Sequence, residues 1–152
     1  MKVEYVNPFI TSTINTFETM LKVKLTVGKP QVKREPFPSY DISGIIGLSG
    51  DASGSISLSY PKIVALKAVS KFLSADIKIV GPDLIDAIGE ITNIIAGSAK
   101  KDLIGLNVSI SLPNVVIGKD HVLAGPRDVQ HMIVPFTSEI GHLALEVSLK
   151  TP

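Results

Sequence analysis

The stretch that most constrains this chain is Pro82 to Lys101, PDLIDAIGEITNIIAGSAKK. Leu84, Ala87, Ile88, Ile91, Ile94 and Ile95 recur at helical spacing and form one broad apolar stripe. The spacing predicts a long amphipathic helix whose stripe is buried against the rest of the protein. The opposite side reads Asp86, Gly89, Glu90, Asn93, Gly97, Lys100 and Lys101. Glu90 and Asn93 are three apart and therefore neighbours on one face. A glycine inside a helix costs ~1 kcal/mol relative to alanine. Two of them on the polar side suggest that another backbone comes close there. An acid and an amide framed by missing side chains read as a docking surface. On spacing alone, a solvated face with two tolerated glycines is the more economical account.

Composition narrows what surrounds this helix. The 152 residues suffice for one domain with a sizeable core, and residues 1–152 are read as a single domain. Hydrophobic residues make up 45% and aromatics only 5%, which favours an aliphatic, packed core over disorder. The net charge of +1 and the lack of a basic run with interleaved aromatics give no argument for nucleic acid. The chain has no cysteine, which excludes disulfides, thiol catalysis and thiolate metal sites. MKVEYVNPF has no apolar signal core, and no segment approaches the ~18 uninterrupted apolar residues of a membrane span. A cytoplasmic location away from membranes is the expectation.

Along the chain, residues 8 to 21 read as a first helix, with Asn7 as cap and Pro8 at its first position. Ile10, Ile14, Phe17 and Leu21 are its expected buried stripe. Residues 23 to 39 alternate weakly and are broken by Gly28-Lys29-Pro30, Pro36 and Pro38, so a short extended arm or edge strand is expected. Residues 41 to 60 read as a hairpin turning at Gly50-Asp51-Ala52-Ser53-Gly54. Its glycines match neither a Walker motif nor a dinucleotide fingerprint.

Residues 61 to 74 form a second expected helix, with Ser59 as a possible cap. Ile63, Leu66, Val69, Phe72 and Leu73 face inward, and Lys62, Lys67 and Lys71 face outward. Extended pieces are expected at 107–112, 128–136 and 143–150, the last two joined by a turn at Ser138 to Gly141. Helices and strands come in blocks, which predicts an α+β fold with helices packed on a largely antiparallel sheet.

Few side chains compete for a chemical role. His131 and His142 fall on neighbouring strands, but a turn near 139 places His131 opposite about residue 147, so the rings do not face each other. His121 lies in an irregular stretch. No metal site and no Ser-His-Asp arrangement follows. Ser55, Ser57 and Ser59 share one face of a strand and read as surface, as do Glu139 and Glu146. Asp83 and Asp86 suit the positive end of a helix dipole. Glu90 and Asn93 remain. An amide does not titrate, so such a pair suits holding a water and orienting a partner rather than covalent chemistry.

Glu90-Ile-Thr-Asn93-Ile-Ile-Ala-Gly97 resembles the Glu-x-x-Asn-x-x-x-Gly signature of the CheC/CheX/FliY family of chemotaxis phosphatases. Pro113 to Asp120 is similar to that family's Pro-x-Val-Val-x-Gly-x-Asp segment, and the order of helices, hairpin and strands looks like CheX. CheC-type members usually carry two signatures and FliY-type members add a rotor domain. One signature and no further residues make CheX the nearer resemblance.

The resemblance implies hydrolysis of the aspartyl phosphate of a CheY-like response regulator. Asn93 would orient the attacking water, and Glu90 would engage the receiver's active-site lysine. The receiver would supply Mg²⁺, and the chain needs no cofactor of its own. The resemblance makes Gly97 part of the signature. Gly89, on a clearance argument, and Asp86, which also suits helix-start electrostatics, are counted with Gly97, Lys100 and Lys101 as the expected partner-docking residues. Lys100 and Lys101 either meet an acidic receiver surface or simply suit a helix C-terminus. A homodimer is also implied. The alternatives are a catalytically silent CheX-like module that binds a receiver or a flagellar motor component, and an unrelated ligand-binding domain with an accidental motif.

Overall fold

In a computed structural model the described residues are 3–33, 39–118, 129 and 131–151. The elements run α1 (Val3–Thr16), a π-helical turn (Phe17–Leu21), β1 (Thr26–Val27), β2 (Gln31–Lys33), β3 (Ile42–Gly50) and β4 (Ser53–Tyr60). They continue with α2 (Lys62–Leu73), α3 (Pro82–Lys100), β5 (Val108–Ile110), β6 (Asn114–Ile117), β7 (His131–Thr137) and β8 (Leu143–Lys150). All eight strands join one sheet in the order β1-β7-β8-β4-β3-β5, with β2 also on β7 and β6 also on β3. Every pairing is antiparallel. The α+β expectation is met: three helices pack on an antiparallel sheet. None of the helices among the described residues is long and apolar enough to cross a membrane.

Alternation along the central strands decides which face carries the core. Ile42, Ile46 and Leu48 of β3, Ile56, Leu58 and Tyr60 of β4, and Leu143, Leu145, Val147 and Leu149 of β8 are all buried on the side facing the helices. Ile88, Ile91 and Ile95 of α3 meet them from above. The closest approach is at Gly44. A Cβ there would overlap Thr92 Oγ1 and stand 3.2 Å from Ile88 Cγ2. The missing side chain lets α3 lie directly on β3.

The first helix starts earlier than its sequence suggests. It begins at Val3, so Asn7 is not its cap and Pro8 lies inside it. Burial of Val6 and Phe9 draws the segment before Pro8 into the helix, at the cost of one backbone hydrogen bond. The buried side is also rotated from the expected one: Phe9, Ser12, Thr13 and Thr16 point inward, while Ile10 and Ile14 are half-buried. Thr13 Oγ1 satisfies itself by donating to the Phe9 carbonyl at 2.7 Å. Phe17 and Leu21 are buried as expected, at the end of α1 and in the π-turn.

The second helix matches its expected span, but its buried side differs. Val64, Ala65, Ala68 and Val69 are buried, whereas Ile63 and Leu73 are exposed. Small residues let α2 sit close to its neighbours, and the larger ones are turned out. Ser59 does not cap α2, since the preceding residue is Pro61 and Ser59 Oγ instead accepts the Tyr40 amide at 2.9 Å.

On the other face of the sheet the serines are not surface. Ser57 and Ser59 are buried, and so is Glu146, which was expected to be solvated. Ser57 and Glu146 are cross-strand partners, and Ser57 Oγ donates to Glu146 Oε2 at 3.1 Å. Ser39 Oγ reaches the other carboxylate oxygen at 3.4 Å. Small hydroxyls leave room for the acid and supply its hydrogen bonds. Glu139 is exposed as expected.

The extended arm forms as β1 and β2, both on β7, and Asn114–Ile117 adds a strand not foreseen, pairing with β3. His131 lies opposite Ser148, and His142 is exposed in the connection to β8. Pro36, Pro38, His121 and Asp120 lie outside the described residues.

Tyr60 is fully buried and stacks on Phe17, with ring centroids 6.5 Å apart. Burial pushes its phenol well above the usual tyrosine range. Among the described residues its hydroxyl has no hydrogen-bond partner.

Two outcomes follow from this packing. Gly44→Ala lowers unfolding free energy in urea titrations by about 1–3 kcal/mol, the usual cost of overpacking. Tyr60→Phe leaves stability unchanged, or raises it by up to about 1 kcal/mol, because the removed hydroxyl makes no bond that offsets its desolvation.

Candidate active site

The polar stripe foreseen on α3 forms. Asp86, Glu90 and Lys100 are exposed, Asn93 and Gly97 are half-buried, and exposed Lys101 follows the last helical residue. Successive members from Asp86 to Lys100 are four, three, four and three residues apart, so they run straight along one side of the helix. Among the described residues neither the Glu90 carboxylate nor the Asn93 amide is engaged in a hydrogen bond or ion pair. Both remain available to an incoming molecule.

What lies behind the stripe holds it in place. Thr92, between Glu90 and Asn93 in sequence, is buried over Gly44 and donates to the Ile88 carbonyl at 2.8 Å. Ser12 of α1 donates to the Ile95 carbonyl, also at 2.8 Å. The helix is thus tied from below by the sheet and from the side by α1. A site on such an element keeps its geometry better than one on a loop.

The two glycines separate. Gly89 is buried, and a Cβ added to it would lie 3.5 Å from Pro113 Cγ and 3.7 Å from Val115 Cγ2. Its bare face is therefore turned toward the chain's own strand β6, not outward, and the clearance expected for a partner there is corrected. The helix is rotated so that this position, seemingly on the polar side, is covered by the segment leading into β6. Gly97 is the opposite case: nothing stands within 4 Å of an added Cβ. The chain's own packing gives no reason for its missing side chain.

Asp86 and Glu90 also border a hollow of about 300 Å³ between the end of α2 and the first half of α3. Phe72, Leu73, Asp83 and Ala87 complete its lining. Asn93 and Gly97 lie further along the helix, and Lys100 and Lys101 at its far end. The sequence pattern assigned Phe72 and Leu73 to the core, so their part in this lining was missed. Gly44 was missed as well, although a lone glycine inside a strand is the standing sign of close backbone approach.

The chemistry open to the stripe is limited. A carboxylate can accept hydrogen bonds or pair with a cation, and an amide can both donate and accept without changing charge. Together they can place a water and fix a partner's register. Among the described residues no group of three His, Asp or Glu stands close enough to hold a metal ion.

The chain is similar to known proteins in sequence and in fold. Residues 42–137 match the family model described as chemotaxis phosphatase CheX. The CheY-P phosphatase CheX of Thermotoga maritima is 30% identical over 123 residues, covering 79% of each chain. The crystal structure of a chemotaxis protein CheX from Desulfovibrio desulfuricans superposes with a TM-score of 0.88 at 30% identity, over 99% of this chain and 100% of that one. A chain of the CheX–CheY–BeF3–Mg²⁺ complex from Borrelia burgdorferi shares the fold, with a TM-score of 0.84 at 23% identity over 98% of this chain and 99% of that one.

The contrast between the glycines is measurable. Gly97→Ala leaves the melting temperature unchanged or raises it, since the side chain meets open space and alanine is favoured in a helix by ~1 kcal/mol.

Proposed function

The chain belongs to the CheX family, and from that membership we propose that it hydrolyses the aspartyl phosphate of a CheY-like response regulator. The observation that carries this reading is the pair of unengaged side chains, Glu90 and Asn93, side by side on a helix packed onto Gly44 and bonded to α1 through Ser12. The Thermotoga relative is described as a CheY-P phosphatase.

In the proposed step a water oxygen attacks phosphorus in line with the bond to the aspartate oxygen. That bond breaks, the receiver's carboxylate is regenerated, and inorganic phosphate leaves. Such a transfer needs placement and charge stabilisation more than a covalent contribution from the phosphatase. Asn93 supplies placement: its amide binds the water through one hydrogen bond and leaves a lone pair directed at phosphorus. Glu90 pairs with the receiver's active-site lysine and so sets the docking register. Gly97, with open space around it, lets the receiver's backbone come close.

Mg²⁺ belongs to the receiver in this reading, in keeping with the composition of the Borrelia complex. A homodimer is part of the same proposal and rests on the family resemblance. Light scattering in solution tests it, and a monomer at micromolar concentration would discard it.

The activity is tested by phosphate release from a phosphorylated receiver of the same genome. Wild type accelerates release, and Asn93→Ala lowers the rate on the order of 10²-fold, as misplacement of a reacting water does. Glu90→Ala also lowers it. Undiminished hydrolysis by both variants would remove the site assignment. Binding of receivers without any acceleration would leave a silent docking module in its place.

A further inference from the structure

The hollow beside Glu90 has an apolar floor and an acidic rim. Phe72, Leu73 and Ala87 make the floor, and Leu73, the last residue of α2, keeps 43% of its surface in water. Asp83, Asp86 and Glu90 make the rim, three and four residues apart on one side of α3. Among the described residues none of the three carboxylates has an ion pair or hydrogen bond. The nearby lysines are directed elsewhere: Lys71 reaches Glu139 at 3.9 Å and Lys78 reaches Asp76 at 3.3 Å. The chain as a whole carries a formal charge of +1, so this acidity is local to the hollow.

Interface area and the place of Glu90 in the lining bear on its occupant. A specific protein pair buries roughly 800 Å² on each partner, far more than two side chains of one helix provide. Glu90 is itself part of the lining, so a partner seated on Glu90 also lies over the hollow. The complement of an apolar floor with an anionic rim is a long basic side chain, its aliphatic stem on the floor and its charged head at the rim.

We propose that the hollow receives a lysine or arginine from the docking face of the receiver, with its stem against Phe72 and Leu73 and its head between Asp83 and Asp86. Glu90 and Asn93 meanwhile meet the phosphorylated centre. The contact selects among receivers by whether they present a basic side chain at that distance from their phosphoaspartate. This inference rests on the phosphatase reading and adds a second anchor to it.

The test uses the whole protein and a receiver of the same genome. Receiver affinity is titrated with the receiver held in a beryllofluoride state, and phosphate release is followed in parallel. The Asp83→Asn/Asp86→Asn variant weakens affinity and raises KM by about five- to tenfold, the effect of two solvent-accessible charge contacts. It leaves kcat within about twofold, because a rim contact is made equally in the ground and transition states. It also flattens the dependence of KM on salt, which a merely structural change would not do.

Leu73→Ser weakens affinity with the salt dependence retained. Melting temperatures equal to wild type establish that the variants are folded, and Asp86→Asn alone serves if the pair is not. Unchanged affinity and salt dependence in both variants would overturn the proposal, as would a loss confined to kcat. Should wild type fail to accelerate hydrolysis, the phosphatase reading fails. The titration then still reports on the hollow by itself.

Discussion

The architecture turns on one close approach, that of α3 onto β3 at Gly44. Thr92 and Ile88 occupy the space a side chain would take there, so the helix and the strand set each other's height. Protein interiors are packed to crystal-like density, and a shift of even one methyl group is felt by neighbours. Gly44 lets the helix down onto the strand, and Ile91 and Ile95 of that helix are fully buried. The same depth leaves Glu90 exposed and Asn93 half-buried on the opposite side. Packing inside and presentation outside are two consequences of one contact.

The rest of the sheet divides its labour by face. Toward the helices it offers Ile, Leu and Val, and on the other side it buries Ser57 bonded to Glu146, and Ser59 bonded to Ser43 and Tyr40. A buried carboxylate is tolerable when its oxygens are satisfied, and here Ser57 and Ser39 help to do so. Alternation with short hydroxyl side chains therefore signals polar packing as readily as a solvated face.

That ambiguity marks how far the sequence could be read. The long helix, the hairpin after Asp41 and the hairpin closed at Gly141 were legible because their periodicity and turn chemistry agree. Glu90 and Asn93 were legible because their types and spacing stand out in a chain without thiols or a phosphate loop. The start of α1 was not, since Pro8 is a local signal for a helix beginning and burial of Val6 and Phe9 is a tertiary one. The inward glycine at 89 and the outward one at 97 look alike on a helical wheel. Only the position of Pro113, 24 residues after Gly89, tells them apart. Ile63 and Leu73 failed for a related reason: hydrophobicity says that a residue can be buried, and the small residues Ala65 and Ala68 decide which side of α2 is.

The bond from Ser12 to the Ile95 carbonyl links residues 83 apart in the chain. Contacts of that span require a large loop to close before they form, and topologies rich in them assemble slowly. The face bearing Glu90 and Asn93 therefore acquires its final orientation only when the first helix has found the third across the intervening hairpin. A nascent chain on the ribosome would carry the whole signature long before it carried a working surface. Emergence of the signature from the exit tunnel and competence for the receiver are then separate events in time, set by chain topology and not by the local helix.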